Sequence, residues 1–175
     1  MENTSVRKHH MRLKVRSLNI GLCLFSVLFL LAGCKDEVVA LSKPAPSIAV
    51  FNNSQEEVTL SQFSKTPVLI DFWSVGCGPC MAMMPELEKL QQQYHGKLVV
   101  LGINTDQTDV DLDKYAKKLN VSFPLVQDQL NITKERYNVI GTPTSFLIDS
   151  KGTVHAIHEG YLNLNSLQSW IQGVL

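Results

Sequence analysis

The sequence predicts an α/β fold, with helices packed on a central mixed β-sheet. Three observations carry this reading. Two apolar runs, Val68–Phe72 and Leu98–Ile103, have the length and composition of buried strands, broken in the first only by Asp71. Between them Pro79–Tyr94 places Leu87, Leu90 and Tyr94 at helical spacing, which makes a βαβ unit. Further on, Ser145–Ile148 and Thr153–His158 bracket Asp149-Ser150-Lys151-Gly152, a turn-forming sequence that closes a hairpin.

Taken in chain order, the first 33 residues stand apart. They carry five Lys/Arg against one Asp/Glu, whereas residues 34–175 carry 11 against 15. Arg7, Lys8, Arg12, Lys14 and Arg16 precede an apolar run, Leu18–Ala32, of 15 residues. A spanning helix needs about 20. A basic stretch followed by a short apolar one reads as an export signal that is later removed. What remains is mildly acidic and has no basic face, which argues against nucleic acid as a partner. The chain is 45% hydrophobic, enough for a packed core.

Lys35–Pro46 reads as a tether, its prolines Pro44 and Pro46 favouring extended backbone. Ile48–Phe51 and Glu57–Thr59 flank Asn52-Asn53-Ser54, a small hairpin. Val110–Leu119 is helical, with Leu112, Tyr115, Ala116 and Leu119 on one face. Ile132–Tyr137 is a short helix, and Leu164–Val174 closes the chain as another. There are no internal repeats.

The chemistry is concentrated at Cys77-Gly78-Pro79-Cys80. Two thiols this close can form and break a disulfide reversibly. Cys77 falls at the start of a helix, where free N–H groups and the helix dipole favour a thiolate, the attacking species. Cys80, one turn later on the same side, can attack a mixed disulfide at Cys77 and release its partner. Pro79 suits the first turn, which does not need its missing N–H. Gly78 leaves room for a partner chain. The competing reading of C-x-x-C is half a zinc site, which needs four ligands. No second C-x-x-C exists, and His155 and His158 fall on opposite faces of a strand. We therefore expect no metal. Met81, Met83 and Met84 read as helix packing and surface. Asp71, inside an apolar strand, is costly there unless it has a role. Burial would raise its pKa and make it a proton acceptor for Cys80.

Two resemblances extend this reading. Leu31-Ala32-Gly33-Cys34 resembles the lipobox of bacterial lipoproteins, which implies cleavage before Cys34, lipid on its sulfur and attachment to a membrane. Asp71-Phe72-Trp73, Cys77-Gly78-Pro79-Cys80, Pro85 and Gly141-Thr142-Pro143-Thr144 resemble thioredoxin. The N-terminal hairpin, Met84-Pro85-Glu86-Leu87 and the segment Asn104–Tyr137 inserted before Gly141 are similar to the membrane-anchored TlpA/ResA-like branch. The implied organisation is a signal peptide over 1–33, a lipidated Cys34 with tether over 34–46, and a thioredoxin-like domain over 47–175. By this resemblance Pro143 is cis and lies across from Cys77, and Trp73, Gly76, Gly78, Pro79 and Thr142 form the substrate contact. The chain departs from thioredoxin at Gly76, where a Trp is usual, and near Gly102, where the Lys that accompanies the buried Asp has no match. Many members of the branch carry Asn at the position of Asp71.

The resemblance implies an exported thiol–disulfide oxidoreductase that reduces or isomerises protein disulfides. It implies no cofactor beyond the Cys77/Cys80 pair, a disulfide-containing protein substrate, a CcdA/DsbD-type membrane dithiol donor, and cytochrome c maturation as one destination. It leaves the choice of membrane open. The alternatives are a dithiol oxidase, a copper metallochaperone, which would use C-x-x-x-C, and a peroxidase, whose usual cysteine setting is missing.

Overall fold

The computed structural model describes residues 38–175. The export signal, Cys34 and the first tether residues lie outside them. Seven strands form one mixed sheet: β1 (Val50–Phe51), β2 (Glu57–Val58), β3 (Val68–Trp73), β4 (Val99–Asn104), β5 (Leu125–Gln127), β6 (Thr144–Ile148) and β7 (Val154–Glu159). The helices are α1 (Gly78–Gln93), α2 (Leu112–Leu119), α3 (Ile132–Arg136) and α4 (Leu164–Ile171). A short 3-10 turn covers Leu60–Phe63.

The strand order is β2-β1-β5-β4-β3-β6-β7. β3, β4 and β5 run parallel, while β6, β7 and the β1–β2 hairpin are antiparallel to their neighbours. β3 and β4 are central and read as unbroken apolar runs because helices or loops cover both faces. Leu69 and Trp73 of β3 pack with Cys80, Met83, Met84 and Leu87 of α1 and with Leu167 and Ile171 of α4. Ile70 and Phe72, pointing the other way, pack with Tyr137, Val139 and Phe146.

The helix over 110–119 starts later than expected, because Val110 is buried and Asp111 caps the first turn by accepting the Lys114 N–H at 3.0 Å. β5 has no counterpart in the sequence reading. Neither does its pairing with β1, through Phe51 and Gln127, which makes the N-terminal hairpin an edge of the main sheet.

The expected tether needs correction from Val39 onward. Val39 N–H donates to the Arg136 carbonyl at 2.8 Å, Ser42 N–H to Val154, and Ala45 N–H to Gly152. Pro44 bridges to Thr153 at the start of β7. The Tyr137 hydroxyl donates to the Pro46 carbonyl at 2.8 Å. The extended backbone that the prolines favour is used to pair with the domain, not to hold it at a distance. Among the described residues, no helix is long and apolar enough to cross a membrane.

Candidate active site

β3 ends at Trp73, and four residues carry the chain to α1. Cys77 is the residue before the helix, with extended backbone (φ −87°, ψ 100°), and its sulfur accepts the Cys80 N–H at 3.1 Å. The sulfur thus fills the N-cap role usually taken by an oxygen, on the donors that would hold a thiolate. Gly78 and Pro79 supply the first turn, and Cys80 completes it. The two cysteines are joined as a disulfide with their Cα atoms 5.2 Å apart.

The pair is asymmetric. Cys77 is partly exposed, whereas Cys80 is fully buried in the cluster under α1. A partner can reach only the first sulfur. Around it, a Cβ at Gly76, Gly78 or Gly141 would meet no described residue within 4 Å apart from the chain immediately beside it. Val75 and Ile140 are exposed beside them, Ile140 by 88%.

The Thr142–Pro143 bond is cis. In this loop the Thr142 carbonyl lies 3.4 Å from Cys77 Sγ. The Thr142 hydroxyl meets the Ser74 hydroxyl at 3.3 Å, linking this loop to the one that delivers Cys77. Pro143 is itself buried, and its carbonyl accepts the Gly160 N–H at 2.9 Å.

Asp71 sits in mid-strand, on the α1 face of the sheet between Leu69 and Trp73. It is wholly buried, and Gly102 is its direct neighbour on β4. Ser145 Oγ donates to Oδ1 at 2.8 Å, while Oδ2 has no hydrogen-bond partner among the described residues. Burial pushes the carboxyl from 3.8 up to about 7, and the Ser145 hydrogen bond offsets only part of that rise. Such a group can take or give a proton near neutrality, and it lies on the face of the sheet that packs against Cys80.

Trp73 is a correction. The sequence reading made it part of the substrate contact, but it has no exposed surface. It packs in the cluster that holds Cys80, with its ring 5.7 Å from that of Tyr115. It supports the disulfide from below and cannot touch a partner. Gly76, Gly78, Pro79 and Thr142 do reach the surface.

Sequence reasoning missed two polar partners of the site. Ser145, the partner of Asp71, comes from 74 residues further along the chain, and only the β3–β6 register places it there. Ser74 looked like an ordinary loop residue. Glu88, on α1, is buried yet held below the usual carboxylate range. Burial works against its charge, but hydrogen bonds from the Ser122 N–H and hydroxyl and from Gln92 outweigh it. It anchors the helix behind the cysteines to the loop after α2.

A cysteine pair at a helix start, facing a cis-proline loop on this sheet, makes the chain a thiol–disulfide oxidoreductase of thioredoxin-like fold. It belongs to the AhpC/TSA family, which its residues 41–157 match. It is 29% identical over 141 residues to the thiol-disulfide oxidoreductase ResA of Bacillus thuringiensis, covering 80% of this chain and 82% of that one. It is also 29% identical over 137 residues to the thioredoxin-like protein YneN of Bacillus subtilis, covering 77% and 80%. A solved structure from Chlorobium tepidum, assigned as the thiol:disulfide interchange protein DsbE, superposes with a TM-score of 0.71 at 29% identity, covering 78% of this chain and 98% of that one.

Proposed function

We propose that this oxidoreductase works outside the cytoplasm, held to a membrane by lipid on Cys34, and that it reduces or isomerises disulfides in proteins. The observation that carries the chemistry is the asymmetry of the pair: an approachable Cys77 on helix N–H groups, and a buried Cys80 on the face of the sheet that carries Asp71.

In the reducing direction the Cys77 thiolate attacks one sulfur of a substrate disulfide. One S–S bond breaks, one forms, and the first substrate thiolate leaves. Asp71 accepts the proton of Cys80, whose thiolate attacks Cys77 Sγ and expels the second substrate thiolate. The substrate gains two electrons and two protons, and the enzyme is left with the Cys77–Cys80 disulfide. The Thr142–Pro143 backbone, with Gly76, Gly78 and Pro79, offers a surface on which an extended substrate segment can lie. A membrane dithiol donor of the CcdA/DsbD type returns the two electrons. Apocytochrome c is a fitting substrate because its thiols must be free before haem is attached.

The test is the equilibrium reduction potential of the pair in the full chain, set by thiol redox buffers and read by mass spectrometry of alkylated thiols. A value near or below about −250 mV supports the reducing role; one near about −120 mV overturns it in favour of an oxidase that introduces disulfides.

A further inference from the structure

Ser74, Val75 and Gly76 connect β3 to Cys77, and none of them belongs to either apolar cluster. Val75 is 36% exposed, and a Cβ at Gly76 would meet no described residue within 4 Å apart from the chain immediately beside it. Hydrogen bonds from the turn after β4 do the holding. Thr105 donates to the Trp73 carbonyl from its N–H at 2.9 Å and its hydroxyl at 3.3 Å. One residue on, Asp106 Oδ2 accepts the Val75 N–H at 2.8 Å. The two consecutive residues therefore grip the backbone on either side of Ser74.

Asp106 is itself locked in place. The oxygen that holds Val75 also accepts Asn104 Nδ2 at 2.8 Å, and Asn104 Oδ1 accepts the Asp106 N–H at 3.1 Å. Its carbonyl accepts Gln127 Nε2 from β5 at 2.9 Å. Asn104 and Gln127 are both buried. The carboxylate is aimed by two strands of the sheet at one backbone N–H, two residues before the sulfur.

We infer that Asp106 is the positioning residue for Cys77: by holding Val75 it sets the turn in which the Cys77 N–H meets the Ser74 carbonyl at 3.2 Å, and so the place of the sulfur on the helix N–H groups. A hydrogen bond to an ionised acceptor is about twice as strong as a neutral one, which suits a loop outside both apolar clusters. Nothing places Asp106 in contact with the sulfur; it acts through the Val75 peptide. The inference rests on Cys77 being the attacking thiol.

The experiment compares Asp106→Ala and Asp106→Asn with the wild type in the full, reduced chain. It reads the pH profile of Cys77 alkylation and the rate of reaction with a small aromatic disulfide. Asp106→Ala removes both the anchor and a negative charge. Loss of charge alone would lower the alkylation midpoint, so a raised midpoint reports lost positioning. We expect that rise, together with a rate about tenfold lower or more. Asp106→Asn keeps an oxygen for the Val75 N–H, and its rate stays within about threefold of wild type. A wild-type profile for Asp106→Ala, or an Asn variant as slow as the Ala variant, overturns the proposal. In the unmodified protein the Val75 amide should resist hydrogen exchange although its residue is exposed; free exchange overturns the proposal even if the Ala variant does not fold. Peptide mapping that finds Cys80 alkylated first would instead overturn the assignment of Cys77 as attacker.

Discussion

The two faces of β3 are built to different rules. On one, Ile70 and Phe72 enter an apolar cluster in which Phe146 stands edge-on to Tyr137, ring centres 4.9 Å apart, and to Phe72 at 5.6 Å. The single hydroxyl among those rings reaches the Pro46 carbonyl. On the other face, the same strand buries Asp71 with one oxygen, and then Trp73 with its indole N–H, unpartnered among the described residues. Buried polar groups are nearly always satisfied, so two exceptions in three residues mark where this fold gives up stability. They fall on the face that carries the cysteines. One strand thus packs with apolar residues alone on its even-numbered side and sets one ionisable residue, Asp71, among packed ones on its odd side.

The largest expected effect comes from breaking the quiet face. Phe146→Ala removes the ring on which Phe72 and Tyr137 both lean, and should lower stability by about 3–5 kcal/mol. The reduction potential of the cysteine pair should stay where it was. Denaturant titration reads the first and thiol redox buffers the second. If the potential moves along with stability, the two faces are not separable and the comparison fails.

Asp71→Asn sharpens the comparison from the other side and should have a smaller effect of opposite sign. Asp71 has a folded pKa of about 7 against an ordinary 3.8, so the folded state binds the extra proton between those values. Its favourable contribution is complete below about pH 4 and is lost as pH rises to about 7, to a total on the order of 4 kcal/mol. Asn carries no charge but leaves an amide partly unsatisfied. The variant should fall below wild type by about 1–3 kcal/mol near pH 4, where Asp71 is neutral, and exceed it by about 1–3 kcal/mol at pH 8. It should also release substrate from the mixed disulfide more slowly, as the proposed role of Asp71 as proton acceptor for Cys80 requires. No gain at pH 8 would mean that Asp71 does not carry a buried charge there.

How much of this was legible in the sequence follows the range of the interactions. β3, α1 and the late hairpin were readable because each declares itself within a dozen residues, by an apolar run, a helical period or a turn. The cysteine pair and Asp71 were readable because a reactive or costly residue is visible wherever it stands. β5 was not: three residues are too few to show a period, and its place depends on β1 pairing across more than 70 positions. Ser145 and Ser74 carry no mark of their own, and only the sheet register and the cis-proline loop give them partners. The segment over 39–46 misled because proline-rich extended backbone looks the same whether it spans open space or pairs with an edge strand. Trp73 misled because a motif position does not fix exposure.

Gly76→Trp should have the smallest effect on stability and still change what the enzyme does. Gly76 is exposed, lies outside the backbone region that only glycine favours, and has no neighbour a side chain would strike. Folding stability should therefore stay within about 0.5 kcal/mol. Alkylation of Cys77 by a small reagent should be unchanged, since α1 and its N–H groups are untouched. A large side chain at this point stands on the approach to the sulfur, beside the bare backbone at Gly78 and Gly141. Reaction with a folded protein disulfide should slow much more than reaction with a small disulfide such as oxidised glutathione, in a competition assay with both present. If both slow equally, the residue acts on the sulfur and belongs with Asp71 on the chemical face. If neither slows, the open collar of glycines is not where the partner lies, and the contact must run over Ile140 and the Thr142 side of the disulfide.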